Sequence, residues 1–132
     1  MIMPAKADRQ KAKSLIKMAE TTLERLESTD MLKYPGNTLT DYYDVIHKLM
    51  EALILSTGVK IRGEGAHMEL IDYVSGECGF DEKTRLFLQK MREHRNRISY
   101  EGFMIHENYI SLNGKAIKEI VKKLFDELGK KG

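Results

Sequence analysis

Apolar residues recur every three or four positions in five stretches of this chain, and this spacing constrains the fold more than any other feature. Such spacing aligns apolar side chains along one face of a helix. The predicted helices cover residues 5–28, 38–57 (capped by Thr38 or Thr40), 66–77, 81–102 and 114–128. Helices bury their apolar faces against one another, so the sequence predicts an all-α, up-and-down bundle of four main helices plus the short third helix.

The segment before the last helix has a different pattern. Phe103–Leu112 contains two short apolar runs on either side of a His-Glu-Asn tripeptide, which is typical of a small β-hairpin. Asn113 is predicted to cap the last helix, and residues 129–132 are predicted to form a frayed tail. No internal repeat or low-complexity segment interrupts the chain, so residues 1–132 are predicted to form a single domain.

The composition excludes several classes of protein. With 42% hydrophobic and 32% charged residues, the chain is not of the disordered type. Its single cysteine, Cys78, excludes an internal disulfide and a Cys-rich zinc site, and is interpreted as a buried or half-buried thiol. No signal peptide or membrane-spanning segment is apparent, because no apolar run is long enough. We therefore expect a cytoplasmic protein with no membrane association.

The common signatures of catalytic sites are missing from the sequence. It has no Walker phosphate loop, no Gly-x-Gly-x-x-Gly run, no Gly-x-Ser-x-Gly elbow and no His-Glu-x-x-His motif. The four histidines are scattered, and their spacing does not suggest a metal site. Neither a metal nor a cofactor is therefore predicted.

Arg95 occupies a position of the fourth helix where an apolar residue is expected. It interrupts the stripe formed by Leu88, Met91 and Ile98. Because an unpaired buried guanidinium is costly, Arg95 must have a dedicated partner or face a cleft or subunit interface. One alternative is a structural role, with Arg95 paired to Asp44 or another acid across the bundle.

The neighbours of Arg95 suggest a binding site for phosphate or carboxylate groups. Arg92 and Arg97 add two guanidiniums, which bind such groups in two-point geometry. Asn96 and Tyr100 add a polar group and an aromatic ring, and the ring can stack on a base. This set suits RNA or a nucleotide. The alternative is that Arg92 and Arg97 are ordinary solvated side chains.

Two residues of the second predicted helix complete the candidate site. His47 lies beside an apolar stripe that includes Tyr43, and in a bundle these two side chains can approach Arg95. The alternative for His47 is a packed histidine that donates a hydrogen bond to a neighbour.

Two segments of the chain resemble the HEPN domain family. Arg95–Tyr100 (Arg-Asn-Arg-Ile-Ser-Tyr) resembles the family signature, an Arg usually followed by Asn and then a His after four to six residues. Asp41–Leu53 resembles the tyrosine-rich second helix of these domains. The order of predicted helices also agrees, so the resemblance covers about residues 8–128.

The resemblance implies a helical bundle that is often a homodimer. Many HEPN domains are metal-independent ribonucleases, including toxins paired with a minimal nucleotidyltransferase antitoxin, and their Arg and His meet across the dimer at the RNA-cleaving site. Here Arg95 matches the Arg and Asn96 the polar residue after it, but Tyr100 stands where the His is expected. The tyrosine that the nucleotidyltransferase modifies in the family would fall on Gly102.

These residues lead to one expected function and two alternatives. The hydroxyl of a tyrosine has a pKa of about 10 in model peptides, so it is a poor general base near neutral pH. We therefore expect a HEPN-like homodimer that binds RNA or a nucleotide through Arg95 and Tyr100, has weak or no ribonuclease activity, and works with a nucleotidyltransferase partner. The alternatives are an active ribonuclease toxin, with His47 or His94 as the base, and a protein–protein interaction module in which Arg95 is structural.

Overall fold

Five α-helices and two short β-strands make up the part of the chain that the structure, a computed structural model, describes, which is residues 1–131. The helices are α1 (Arg9–Glu27), α2 (Pro35–Thr57), α3 (Ala66–Cys78), α4 (Glu82–Glu101) and α5 (Glu107–Lys131), and the strands are β1 (Ile2–Pro4) and β2 (Val59–Ile61). The predicted all-α bundle of four main helices and a short helix is confirmed, with α3 as the short helix.

Capping residues in the sequence set several of the helix ends. The carboxylates of Asp8 and Asp81 each accept a hydrogen bond from the backbone N–H three residues later, at the starts of α1 and α4. Gly58 and Gly102 follow α2 and α4 in the left-handed conformation, which glycine adopts without steric cost. The predicted limits of α4, Asp81 and Gly102, therefore agree with the structure.

The core is built around α2, which packs against all four other helices. This helix is buried on most of its surface, whereas α4 contributes mainly Leu88 and Met91 to the core. Cys78 lies in the same core, and burial raises the pKa of its thiol to about 11, so it stays protonated and unreactive near neutral pH. Within residues 1–131, no helix combines the length and the apolar character that crossing a membrane requires.

The small antiparallel sheet is present, but not where the sequence predicted it. Strand β1 pairs with β2, with Ile2 opposite Ile61 and Pro4 opposite Val59. Pro4 therefore belongs to a strand, and the first helix begins at Arg9 instead of at residue 5. Because β1 and β2 lie far apart in the sequence, their pairing leaves no periodic pattern within either segment.

The predicted hairpin at Phe103–Leu112 is wrong in position, because α5 already begins at Glu107. His106 Nδ1 accepts a hydrogen bond from the Asn108 backbone N–H at 3.1 Å and so takes up one of the free donors at the helix start. Asn113 lies inside the helix, where its side chain donates to the Tyr109 carbonyl at 2.9 Å instead of capping.

The other limits of the helices also differ from the predictions. Helix α2 begins at Pro35 rather than at Thr38 or Thr40, because proline fits the first helical turn. The Thr38 hydroxyl does not cap the helix but donates a hydrogen bond to the Tyr34 carbonyl at 2.8 Å. Of the predicted frayed tail, residues 129–131 continue α5, and residue 132 lies outside the described residues.

Candidate functional site

Arg92 and Arg95 lie one turn apart on α4 and share a face of the helix. Both side chains are half-buried. Arg95 Nη1 donates a hydrogen bond to Asn96 Oδ1 at 3.4 Å, and Arg92 Nε donates to Gln89 Oε1 at 3.0 Å. These partners are neutral amides, and within residues 1–131 neither guanidinium forms an ion pair. Two neighbouring positive charges are therefore left uncompensated.

The alternative that Asp44 pairs with Arg95 is wrong. Asp44 Oδ2 binds Lys48 Nζ at 2.5 Å, one turn further along α2. Because a half-buried guanidinium gains stability from an anion, the pair on α4 is suited to a negatively charged group from outside the chain.

Tyr43 of α2 forms the floor beside these two guanidiniums. Its ring is only 3% exposed, and its hydroxyl is buried with no hydrogen-bond partner among the described residues. Burial raises the pKa of Tyr43 to about 12, while the positive charges of Arg92 and Arg95 act in the opposite direction. Tyr43 thus supports the site from beneath.

A pair of side chains on α2 continues the site from Tyr43. The ring of His47 stacks at 6.1 Å from that of Tyr43, and His47 Nε2 lies 2.5 Å from Glu51 Oε1. The hydrogen bond from His47 lowers the pKa of Glu51, which keeps this carboxylate ionised although burial opposes the effect. His47 Nδ1 is buried and has no partner among the described residues.

His67 joins this pair from a different helix. It is the second residue of α3, and its ring stacks on that of His47, with the centroids 4.4 Å apart and the planes inclined by 29°. The side chain is exposed. Burial of part of the ring is the main cause that lowers the pKa of His67; the charges of His47, Arg95 and Arg92 act in the same direction, and Glu51 opposes them. The imidazole is therefore neutral at neutral pH.

A cavity of about 280 Å³ opens beside the two stacked histidines. Besides these rings it is lined by Lys11 of α1, Glu51 and Lys60 of β2, and the rest of its lining is apolar. Larger hollows of about 430 and 580 Å³ lie along α5, but neither is lined by a histidine or an arginine. Of these three cavities, the one beside the histidines is therefore the only one with titratable imidazoles in its wall.

Arg97 does not belong to this site, although the sequence grouped it with Arg95. Its guanidinium lies over the ring of Phe103, with Cζ 4.0 Å from the centroid, and Nε lies 3.5 Å from Glu101. His94 lies on the same side, with its ring 6.3 Å from that of Phe103 and 5.4 Å from that of Tyr109. Both side chains therefore face the segment that leads into α5.

Tyr100 is 79% exposed and makes no side-chain hydrogen bond among the described residues. Tyr100 follows Arg95 by five residues, which corresponds to one full turn of an α-helix plus roughly 140°. Tyr100 therefore points well away from Arg95 of the same chain. The structure therefore groups Arg92, Arg95 and Asn96 with Tyr43 and His47, and it separates Tyr100 from them.

Sequence reasoning missed Glu51 and His67. The i, i+4 spacing of His47 and Glu51 was a usable signal, because such pairs meet on a helix surface. His67 had no comparable signal, since it reaches the site only when α3 packs beside α2. Within residues 1–131, no three His, Cys, Asp or Glu side chains are grouped so as to hold a metal ion.

No protein-family model matches the chain, and no curated protein matches it. What the site can do follows from its side chains. Among the described residues, two guanidiniums without an ion-pair partner suit a phosphate group, and an exposed imidazole suits proton transfer.

Proposed function

We propose that this chain is a HEPN-like protein that binds RNA or a nucleotide, with Arg92 and Arg95 as the residues that hold a phosphate group. The observation that supports this most strongly is that two adjacent, half-buried guanidiniums have no anionic partner among residues 1–131. An arginine can form paired, charge-assisted hydrogen bonds with a phosphate, and each such bond contributes about 1.5–3 kcal/mol.

The surroundings of the two guanidiniums also favour a polyanion. Lys11 and Lys60 extend the positive charge along the neighbouring cavity, so a second phosphate of the same ligand meets a favourable potential there. Asn96 fixes the guanidinium of Arg95 through its amide oxygen at 3.4 Å. Binding of a single phosphate would involve α4 alone, whereas a strand of RNA can follow the charges from α4 to the cavity.

The proposal includes a homodimer and a nucleotidyltransferase partner, as the HEPN resemblance implies, and a cytoplasmic location. Exposed apolar side chains at the end of α4 support the dimer: Tyr100 is 79% exposed and Met104 is 90% exposed. Tyrosine and methionine are enriched at protein interfaces. In a dimer, Tyr100 could reach the ligand of the other protomer. With Tyr100 in place of a histidine, the Arg95–Tyr100 motif alone is expected to give weak or no ribonuclease activity.

The test compares Arg95→Ala with the unaltered chain in a fluorescence anisotropy titration of a short single-stranded RNA and, separately, of ATP. We expect Arg95→Ala to weaken binding about tenfold or more, because a lost charge-assisted hydrogen bond exceeds about 1.4 kcal/mol. Lys90→Ala is the matched control, since Lys90 is exposed on α4 and pairs with Glu93 at 3.5 Å. It removes the same charge from the same helix and should leave affinity nearly unchanged.

Equal affinity of Arg95→Ala and the unaltered chain for both ligands would contradict the proposal. If Arg95→Ala instead lowers the melting temperature or dissociates a dimer without any ligand effect, Arg95 has a structural role and the chain is an interaction module. Thermal melting and size-exclusion chromatography with light scattering of both variants separate these outcomes.

A further inference from the structure

A groove runs between α1 and α5, over the first half of α2. Both α1 and α5 pack against α2, but in the described part of the chain they hardly touch each other. Two cavities of about 580 and 270 Å³ lie in this gap, and Met31, Tyr42 and Lys118 line both of them. The two cavities therefore form one continuous depression, the α1–α5 groove. Neither Arg92 nor Arg95 lines it.

The base and walls of the α1–α5 groove are largely apolar. Leu23 comes from α1, Val121 from α5, and Met31 and Leu32 from the connection between α1 and α2. Tyr42 of α2 is only 3% exposed, and its hydroxyl donates a hydrogen bond to Met31 Sδ at 3.7 Å. Because the polar atom of Tyr42 already has a partner, an occupant of the groove gains most by bringing apolar side chains.

Gly114 of α5 leaves additional room in the groove. It lines the larger cavity, and no atom lies within 4 Å of the position that a Cβ would take. Glycine weakens the interior of a helix relative to alanine, so its presence here does not help α5 to form. It does leave space for a side chain of an occupant.

Charged side chains of opposite sign follow the two edges of the groove. Lys115, Lys118 and Lys122 follow the α5 edge at spacings of three and four residues, which cover about 10 Å of helix. On the α1 edge, Glu27 lines the smaller cavity, and Glu20 lies two turns earlier on the same face. All five side chains are exposed, and within residues 1–131 none of them forms an ion pair.

We propose that the α1–α5 groove binds an amphipathic helix of another protein, with the apolar face of that helix on Tyr42 and acidic side chains along the α5 edge. The three lysines outnumber Glu119, the acidic residue that lines the larger cavity with them, so this edge is net positive. Acidic side chains that meet lysines spaced by three and four residues have the same spacing, which is that of one helix face.

An extended peptide fits this groove less well than a helix does. Both walls are helices, and their backbone N–H and C=O groups are bonded within each helix. The walls therefore offer no strand edge to which an extended peptide could add. The inference is independent of the proposed binding of RNA, because the two sites share no residue.

The experiment measures the binding of a labelled synthetic helix of about 14 residues, or four turns, by fluorescence anisotropy. This acidic peptide carries leucines along one face, glutamates along one flank and glutamines elsewhere. A second peptide has lysine at each glutamate position, and a third has the composition of the first in an order that gives no apolar face. We expect the acidic peptide to bind most tightly, with an affinity that falls as the salt concentration rises.

Gly114→Leu tests the groove itself. Leucine favours a helix and the space at Gly114 is open, so the variant should fold while its side chain fills the groove. It should weaken binding of the acidic peptide by at least about tenfold. Gly76→Leu is the matched control, because Gly76 is also a helical glycine with open space at its Cβ position but lies on α3, outside the groove. It should bind as the unaltered chain does.

Lys118→Glu tests the charge of the α5 edge. It should weaken binding of the acidic peptide and strengthen binding of the lysine peptide, because the charge that meets the peptide changes sign. Lys123→Glu is the control for the same change on the same helix, since Lys123 Nζ lies 5.6 Å from the centroid of the Phe80 ring and lines a different cavity. It should leave both affinities nearly unchanged. Circular dichroism of all four variants checks that they stay helical.

Three results would overturn the proposal. One is failure of the acidic peptide to bind more tightly than the scrambled and lysine peptides. Another is equal affinity of Gly114→Leu and the unaltered chain for the acidic peptide. The third is light scattering that shows a dimer of the unaltered chain which Gly114→Leu dissociates, because a second copy then covers the groove. The proposed function stands or falls separately, by the RNA and ATP titrations of Arg95→Ala.

Discussion

The ring of His67 on α3 stacks on the ring of His47 on α2, with the centroids 4.4 Å apart. This contact joins two helices, and Glu51 binds His47 Nε2 on the other side of the ring. The positive charges of Arg92 and Arg95 on α4 act on His67 as well. No short sequence motif contains all of these groups.

The first prediction concerns the salt dependence of RNA binding. For single-stranded nucleic acid, the logarithm of affinity falls with the logarithm of salt concentration with a slope of about −0.7 per neutralised phosphate. Arg95→Ala removes one phosphate contact and should therefore make the slope shallower by about 0.7. Lys90→Ala should leave the slope unchanged. Anisotropy titrations at several salt concentrations give both slopes, and an unaltered slope for Arg95→Ala would argue against contact with a phosphate.

A second prediction addresses Tyr43, whose hydroxyl is buried without a partner among residues 1–131. An unsatisfied buried polar group costs about 1–3 kcal/mol, so Tyr43→Phe should leave the free energy of unfolding unchanged or raise it slightly. RNA affinity should change little if Tyr43 is only the floor of the site. Urea unfolding and anisotropy measure the two effects; a large loss of affinity would instead show that the hydroxyl turns toward the ligand.

The stability of the protein should decrease as the pH falls from about 7 to about 5. Burial, with the charges of Lys90 and Arg97, lowers the pKa of His94 in the folded protein, and Glu93 opposes this. The unfolded chain therefore binds protons first, near the ordinary histidine value of about 6.5, and unfolding becomes more favourable. The pKa of His67 is also lowered in the folded protein, so this residue likewise makes the protein less stable as the pH falls.

His94→Phe keeps an aromatic ring beside Phe103 and Tyr109 but cannot bind a proton. Its melting temperature should therefore fall less between these two pH values than that of the unaltered chain. Melting curves followed by circular dichroism make the comparison. An identical fall in both proteins would exclude His94 as a source of the effect.

Gly58 and Gly114 should respond in opposite ways to alanine. Gly58 ends α2 with φ of 76°, and an added Cβ would lie 3.0 Å from the Ala5 carbonyl oxygen, so Gly58→Ala should destabilise the fold by about 1–2 kcal/mol. Gly114 lies within α5 with no atom near its Cβ position, so Gly114→Ala should stabilise it by about 0.5–1 kcal/mol. Urea unfolding tests the pair, and a change of the same sign in both would contradict the argument.

Met91 should be essential for the packing of α4 against the core, because its side chain is fully buried. Truncation of a buried methionine costs about 2–5 kcal/mol, so Met91→Ala should lower the free energy of unfolding by this amount. Met104 is 90% exposed, and Met104→Ala serves as the control with little expected change. Similar unfolding midpoints for the two variants would mean that α4 is not held through Met91.

Local pattern was sufficient for most of the fold. The period of the apolar residues predicted the helices, and Asp81 and Gly102 marked the limits of α4, because capping depends on residues close in the sequence. The pattern failed at Phe103–Leu112, where alternating short apolar runs fit a strand as well as the first turns of α5. The choice of helix depends on Ile110, which is buried in the core, and such burial is a tertiary contact that the local pattern does not show.

The sequence by itself determined that the chain forms a helical bundle and that Arg95 is out of place in an apolar stripe, since both follow from spacing along a single helix. Only the tertiary structure decided which other side chains come together. It placed the ring of His47 against those of Tyr43 and His67, where the charge of Arg95 acts on the latter two, and it left Tyr100 exposed. The physical reason is that contacts between helices depend on how their faces pack around α2, and no periodicity within one helix carries that information.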